Sequence, residues 1–223
     1  LIPRDKLEET GIISTFNDTY RYDNCRNALC CSIGHPNYKM FYSLRTSNPT
    51  TEWCIIGIKK DILWDKDCAF CIENAASNSV TAIPINQRKG LPAFMKLFDQ
   101  IENRPTRDIL DIPDYCPTNP QAEVLVFDRI NLNDIIGVVF QSQQRADEYT
   151  SRYNREDFFI YHRGFFGPRK DYFISLVMII YSLLPFFMVF EGRKTSGERA
   201  SCSCNNGRIS NRRPGSIFYD TEL

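Results

Sequence analysis

The sequence predicts an α+β fold, because strand-like and helix-like segments mix along the chain without the regular alternation of a doubly wound α/β sheet. Two further observations agree. No segment repeats, and no Gly-rich phosphate loop of the Walker or Rossmann kind leads a strand into a helix. At 223 residues the chain can form one sizeable domain with its own core, or one domain and an appendage.

The stretch to about Arg45 is rich in Asn, Asp, Arg and Tyr and reads as irregular with short strands. "EWCIIGI", Glu52 to Ile58, is a β-branched apolar run between polar turns, hence a buried strand. "LPAFMKLFDQIE" sets Leu91, Phe94, Met95, Leu97, Phe98 and Ile101 at helical spacing, with Pro92 suited to a helix start. "PTRDILDIPDYCPTNP" carries prolines at 105, 113, 117 and 120, a long stiffened loop that delivers the chain into the strand "QAEVLVF". The turn "DRINLND" follows, then a strand "IIGVVFQ", a polar helix from about Ser142 to Tyr153, and a strand candidate in "FFIYHRGFF".

After Lys170 the composition changes. Phe173 to Phe190 is uncharged and long enough to be a candidate membrane span. Pro185, Ser175 and Ser182 weaken that reading, and a buried helix is the alternative. Residues 192–223 form a basic Ser/Asn/Gly/Arg tail expected to be disordered. The expected organisation is thus a domain over 1–171, an apolar segment over 172–191 and a tail over 192–223.

Twenty-seven basic and 27 acidic residues cancel, so attraction to nucleic acid must come from a local patch rather than from net charge. Nine cysteines, an odd count with several inside apolar runs, fit reduced thiols in a cytoplasmic protein better than a disulfide framework. Cys68-Ala-Phe-Cys71 has zinc-knuckle spacing, but the other close pair, Cys202-Ser-Cys204, is wrongly spaced. Core cysteines are therefore favoured and no metal is expected.

"SIGHPNYKMFYSLR", Ser32 to Arg45, crowds Tyr38, Phe41 and Tyr42 around Lys39 and Arg45. Aromatic faces beside cations suit a flat phosphate-bearing ligand, and a surface helix with an inward aromatic stripe explains the same spacing equally well. "DCAFCIENAASNS" ends in Asn74, Ser77 and Asn78, which make turns and also offer amides to a base edge; the turn is the favoured reading.

Glu123 is the one charge in the run from Ala122 to Phe127. A buried carboxylate is costly unless something requires it. Alternation places Gln121, Glu123, Leu125 and Phe127 on one side and Ala122, Val124 and Val126 on the other, so the Glu123 side starts polar, as at a strand end opening on a cleft. An exposed edge, or a buried arginine partner, would also explain it.

Three blocks in this order, "NALCCSIGHPNYKMFYSLR", "EWCIIGIKKDILWDKDCAFCIENAASN" and "YCPTNPQAEVLVF", resemble the DarT family of DNA ADP-ribosyltransferase toxins. The likeness runs from Leu1 to about Asp171 and places a first, histidine-bearing strand ahead of Leu1. It implies an ADP-ribosyltransferase fold, a split β-sheet with flanking helices around an NAD⁺ cleft. It implies transfer of ADP-ribose from NAD⁺ to a base in single-stranded DNA, without a metal, and a macrodomain (DarG-like) antitoxin as partner. Carried over by position, Glu123 is the catalytic glutamate and Arg45 the essential arginine, and Tyr38, Tyr42 and Arg45 line the NAD⁺ site. The loop from about Asp111 to Gln121, with Asn119 and Gln121, recognises substrate, as does Asn74. The alternatives are ADP-ribosylation of RNA or protein, or a non-catalytic nucleic-acid or membrane-tethered binding module.

Overall fold

Two three-stranded sheets divide the strands of the computed structural model, which describes residues 1–11 and 22–176. Chain contacts gather Leu1–Ser182 into one unit, and a second, Leu183–Leu223, lies outside the described residues. Most of the apolar run and the whole basic tail fall outside them too.

The first sheet pairs β1 (Leu29–Cys31) and β3 (Cys68–Cys71) antiparallel to either side of β4 (Glu123–Val126). The two faces expected from the alternation of β4 are both present, and both are buried. Ala122, Val124 and Val126 pack with Cys68, Phe70, Ala93 and Leu97, while Leu125 packs oppositely with Ala69, Cys71, Ala75 and Val80. Val124, Leu125 and Val126 are at most 1% exposed. Each contributes about 1.5–3 kcal/mol by leaving water, which fixes the register of the strand that carries Glu123.

The second sheet sets β5 (Ile135–Phe140) between β2 (Cys54–Ile58), antiparallel, and β6 (Phe159–Tyr161), parallel. A parallel pair needs a crossover. α6 (Gln143–Tyr153) supplies it and ends at Asn154, whose φ of 51° is the left-handed cap that releases the chain toward β6. Gly137 stands opposite Gly57, and a Cβ on Gly137 would come within 3.0 Å of the Phe158 carbonyl oxygen. The parallel strand can approach there only because the side chain is absent.

The short helices are α1 (Arg4–Glu9), α2 (Tyr38–Ser47), α3 (Ile62–Asp65), α4 (Asn78–Thr81) and α5 (Gly90–Met95). Three differences from expectation stand out. The N-terminal stretch, expected to be irregular, holds α1 and α2, and α2 starts where buried Asn37 accepts a hydrogen bond from the Met40 N–H at 3.3 Å. The helix expected through Ile101 stops sooner, tightening into a 3₁₀ turn over Lys96–Phe98 and turning extended at Asp99. Tightening rotates its inner face onto Ala93 and Leu97 and leaves Leu91 and Met95 exposed. The Cys68–Cys71 segment, read as packed, is a strand; all four residues are buried, so no alternation announced it.

Candidate active site

Glu123 opens β4 opposite Cys71 of β3, so the two side chains project from the same face. The glutamate is 6% exposed. Its Oε2 accepts the Ala75 N–H at 2.9 Å and its Oε1 accepts the Asn74 side-chain amide at 3.3 Å. These donors come from the turn after β3. Asn74 builds that turn, its Oδ1 accepting from the Ala76 N–H at 2.9 Å and its carbonyl from the Ser77 N–H at 2.9 Å. Ser77 then caps α4. The Asn-Ala-Ala-Ser turn read from the sequence is therefore a turn, and it also cradles the buried carboxylate.

A cleft of about 320 Å³ is lined among others by Ile72, Glu73, Leu97, Thr118 and Asn119, with Glu123 and Asn74 outside its lining. Ile72 and Glu73 follow β3 and Thr118 and Asn119 come shortly before β4, so the cleft borders the end of the β3–β4 pair. The Ser77 hydroxyl, 2.6 Å from Glu73 Oε1, and then that of Ser79 hold the Glu73 carboxyl below the usual carboxylate range.

The loop before β4 is clamped from behind. Arg169 donates from Nη1 to the Pro117 carbonyl at 2.6 Å and from Nη2 to the Thr118 carbonyl at 3.2 Å. Its own charge is met by Asp171, with Nε to Oδ1 at 2.6 Å and Nη2 to Oδ2 at 3.0 Å, and both residues are buried. Arg107 adds donors to the carbonyls of Cys116 at 3.0 Å and Pro113 at 3.1 Å and to the Thr118 hydroxyl at 2.8 Å. Gly34, with φ +72°, lies against this loop, and a Cβ there would meet Cys116 Sγ at 2.7 Å. Asn119 and Gln121 complete the entry: Asn119 Oδ1 accepts the Gln121 N–H at 3.0 Å, an Asx turn that aims the chain into β4.

Arg45 stands elsewhere. It shares one face of α2 with Tyr38 and Phe41, its guanidinium 4.9 Å from the Phe41 ring and 5.8 Å from that of Phe166. Nη1 donates to Gln141 at 3.3 Å and Nη2 to the Phe166 carbonyl, while the buried Nε has no hydrogen-bond partner among the described residues. Among the described residues no hydrogen bond joins it to Glu123 or Asn74. Tyr38 is buried edge-on to Tyr172 at 5.8 Å, and burial, then the nearby Asp171, push its phenol up to about 12. Tyr42, one turn on, is exposed. The inward stripe therefore accounts for Tyr38 and Phe41, and Tyr42 is left facing outward.

Cys68 and Cys71 are core residues of β3, and burial raises both thiols to about 11. Among the described residues no cluster of three or more His, Cys, Asp or Glu could hold a metal ion. No described helix is long and apolar enough to cross a membrane. The start of the apolar run is described, and there Ile174 packs against the cluster of Leu110, Ile112 and Cys116.

Sequence reasoning missed the Ala75 N–H, Glu73, and the arginines at 88, 107 and 169. A backbone donor leaves no trace in residue type, and Arg107 and Arg169 each hold two backbone carbonyls, which every residue carries.

A family model described as DarT, ssDNA thymidine ADP-ribosyltransferase, matches residues 16–162. Comparison with curated proteins gives no match.

Proposed function

From the premise that this chain belongs to the DarT family of single-stranded-DNA ADP-ribosyltransferases, we propose that it consumes NAD⁺ and modifies thymine, with Glu123 as its catalytic carboxylate. One observation carries the reading. A buried glutamate at the head of a strand is fixed by a backbone N–H and a side-chain amide, and a cleft borders the end of the same strand pair. A carboxylate is kept under such cover when charge must be stabilised there in a dry environment.

NAD⁺ supplies ADP-ribose, with nicotinamide as the leaving group. The base nitrogen bonds to C1′ of the ribose as the C1′–nicotinamide bond breaks and its electron pair leaves with nicotinamide. Positive charge develops on the ribose, and Glu123 stabilises it; the same carboxylate takes the proton that the base nitrogen gives up. In thymidine N1 carries the deoxyribose, so N3 is the only ring nitrogen bearing a proton. Duplex pairing hides N3, hence the need for a single strand.

In this reading Asn74 orients Glu123, and Asn119 and Gln121 on the clamped loop meet the base. Arg45, Tyr42 and Tyr38 form the NAD⁺ side, with Arg45 offering a planar fork to a phosphate or a carbonyl. The domain spans 1–171 and acts as a toxin in the cytoplasm, with a macrodomain antitoxin as its partner; the apolar segment and tail are additions to it.

The test incubates the protein with NAD⁺ and oligonucleotides that contain or lack a single thymine, followed by mass spectrometry and nicotinamide assay. One added ADP-ribose on thymine-bearing single strands is expected. Modification of thymine-free strands, of RNA or of protein instead would overturn the reading.

A further inference from the structure

We propose that Arg88 is the core of an anion site that receives a phosphate group of the substrate. Arg88 is 6% exposed, yet its one side-chain hydrogen bond among the described residues is from Nη1 to Sγ of Cys71 at 3.5 Å. Its buried Nε has no hydrogen-bond partner among the described residues. Cys71 cannot serve as counter-charge, since burial keeps its thiol protonated up to about 11. The other buried arginine, Arg169, shows how this fold treats a guanidinium that holds structure together, pairing it with Asp171 and two carbonyls. Arg88 has none of these. A buried guanidinium whose donors are left unmet is held at a cost, and an anion bound to it relieves that cost.

The surroundings fit. Arg88 lines a cavity of about 30 Å³ with Cys71, Ile72, Gln87 and Lys96, room for about two water-sized groups such as two phosphate oxygens. Ile72 and Lys96 also line the larger cleft at the end of the β3–β4 pair, so the two spaces adjoin. Lys96 is exposed and adds a second cation at the shared wall. Cys71, which takes the Arg88 hydrogen bond, is the register partner of Glu123. A phosphate seated on Arg88 is therefore tethered one side chain from the proposed catalytic carboxylate. The buried charge alone argues for an anion; assigning that anion to the substrate rests on the transfer reading above. Its source is either the diphosphate of the dinucleotide or a backbone phosphate of the strand.

The full chain is titrated with inorganic pyrophosphate and its melting temperature followed, first in the wild type and then in Arg88→Gln. A dose-dependent rise in the wild type that Arg88→Gln abolishes is expected. No rise in the wild type, or an equal rise in a folded Arg88→Gln, overturns the proposal without touching the assignment of Glu123. Arg88→Lys, which keeps the charge but loses the fork, is the second variant and should retain a weakened response. Two binding arms then identify the source. A loss of NAD⁺ affinity of about tenfold or more in Arg88→Gln with unchanged oligonucleotide affinity assigns the diphosphate. The reverse pattern, with a shallower salt dependence of oligonucleotide binding, assigns the strand backbone. A pyrophosphate response with neither loss leaves an anion site outside the transfer reaction and overturns its assignment to the substrate.

Discussion

The Ala75 N–H donates to Glu123 Oε2 at 2.9 Å, so the carboxylate at the head of β4 is anchored by the backbone of the neighbouring turn. The glutamate is therefore a structural acceptor as well as a candidate for chemistry, and substitutions separate the two roles. Glu123→Gln retains a carbonyl oxygen for Ala75 and should fold with nearly wild-type stability. Glu123→Ala leaves the buried donor unmet and should lose about 1–3 kcal/mol in urea unfolding. Both should lose about a hundredfold or more in transfer, measured as nicotinamide release with a mass shift on single-stranded DNA. A Gln variant that transfers like the wild type would remove Glu123 from the mechanism.

Arg45 is braced by Gln141, the Phe166 carbonyl and two aromatic rings. Arg45→Lys cannot hold both acceptors and should lose about 1–2 kcal/mol, a fall of several degrees in melting temperature. The proposed NAD⁺ contact adds a second expectation, a drop in dinucleotide affinity of about tenfold by calorimetry. Unchanged affinity in the folded variant would confine Arg45 to holding α2 in place.

A chain ending at Lys170 lacks Asp171 and leaves Arg169 buried without its carboxylate. Removing one member of a buried pair costs roughly 3–5 kcal/mol. That truncation should melt far lower than one ending at Ser182, which keeps Asp171 and the Ile174 contact. Equal melting of the two would show that the clamp on Pro117 and Thr118 is dispensable.

Three thiols packed into the first sheet give the stability an alkaline limit. Burial lifts Cys31 to about 12 and Cys68 and Cys71 to about 11, from an ordinary 9.0. The folded values lie above the unfolded one, so the stabilisation is full below pH 9 and is lost as pH rises toward 11 and 12. Urea midpoints should fall across that window, and the fall should flatten in Cys68→Ala/Cys71→Ala. An identical slope in the double variant would remove these thiols as the cause.

Much of this arrangement is legible in the residues. The apolar run with one glutamate marks β4 and its two faces, and "CIIGI" and "IIGVVF" mark the edge strand β2 and the central strand β5 of the second sheet. The family blocks point to Glu123. What stays hidden are features that have no periodicity or no residue signature. β3 is four small or mixed residues buried on both faces, and α2 depends on a cap at Asn37 more than on an amphipathic run. Nothing in the polar "NQRKG" marks a core position, so only the fold reveals Arg88 as buried. The same holds for the clamp of Arg169, which besides its neighbour Asp171 holds two carbonyls some fifty residues away.

The pairing of β1 with β4 joins Leu29 to Val126 across more than half of the described chain, whereas β5, α6 and β6 are consecutive. Contacts so distant in sequence close late, after local units have formed. During synthesis the second sheet cannot begin before β5 emerges, and the first sheet cannot exist before β4 does. The carboxylate at the head of β4 is thus assembled with its cradle only when two-thirds or so of the described chain has been made. Pulsed hydrogen exchange should find the amides of β5 and β6 protected before those of β1, and the opposite order would show that the glutamate-bearing sheet forms first.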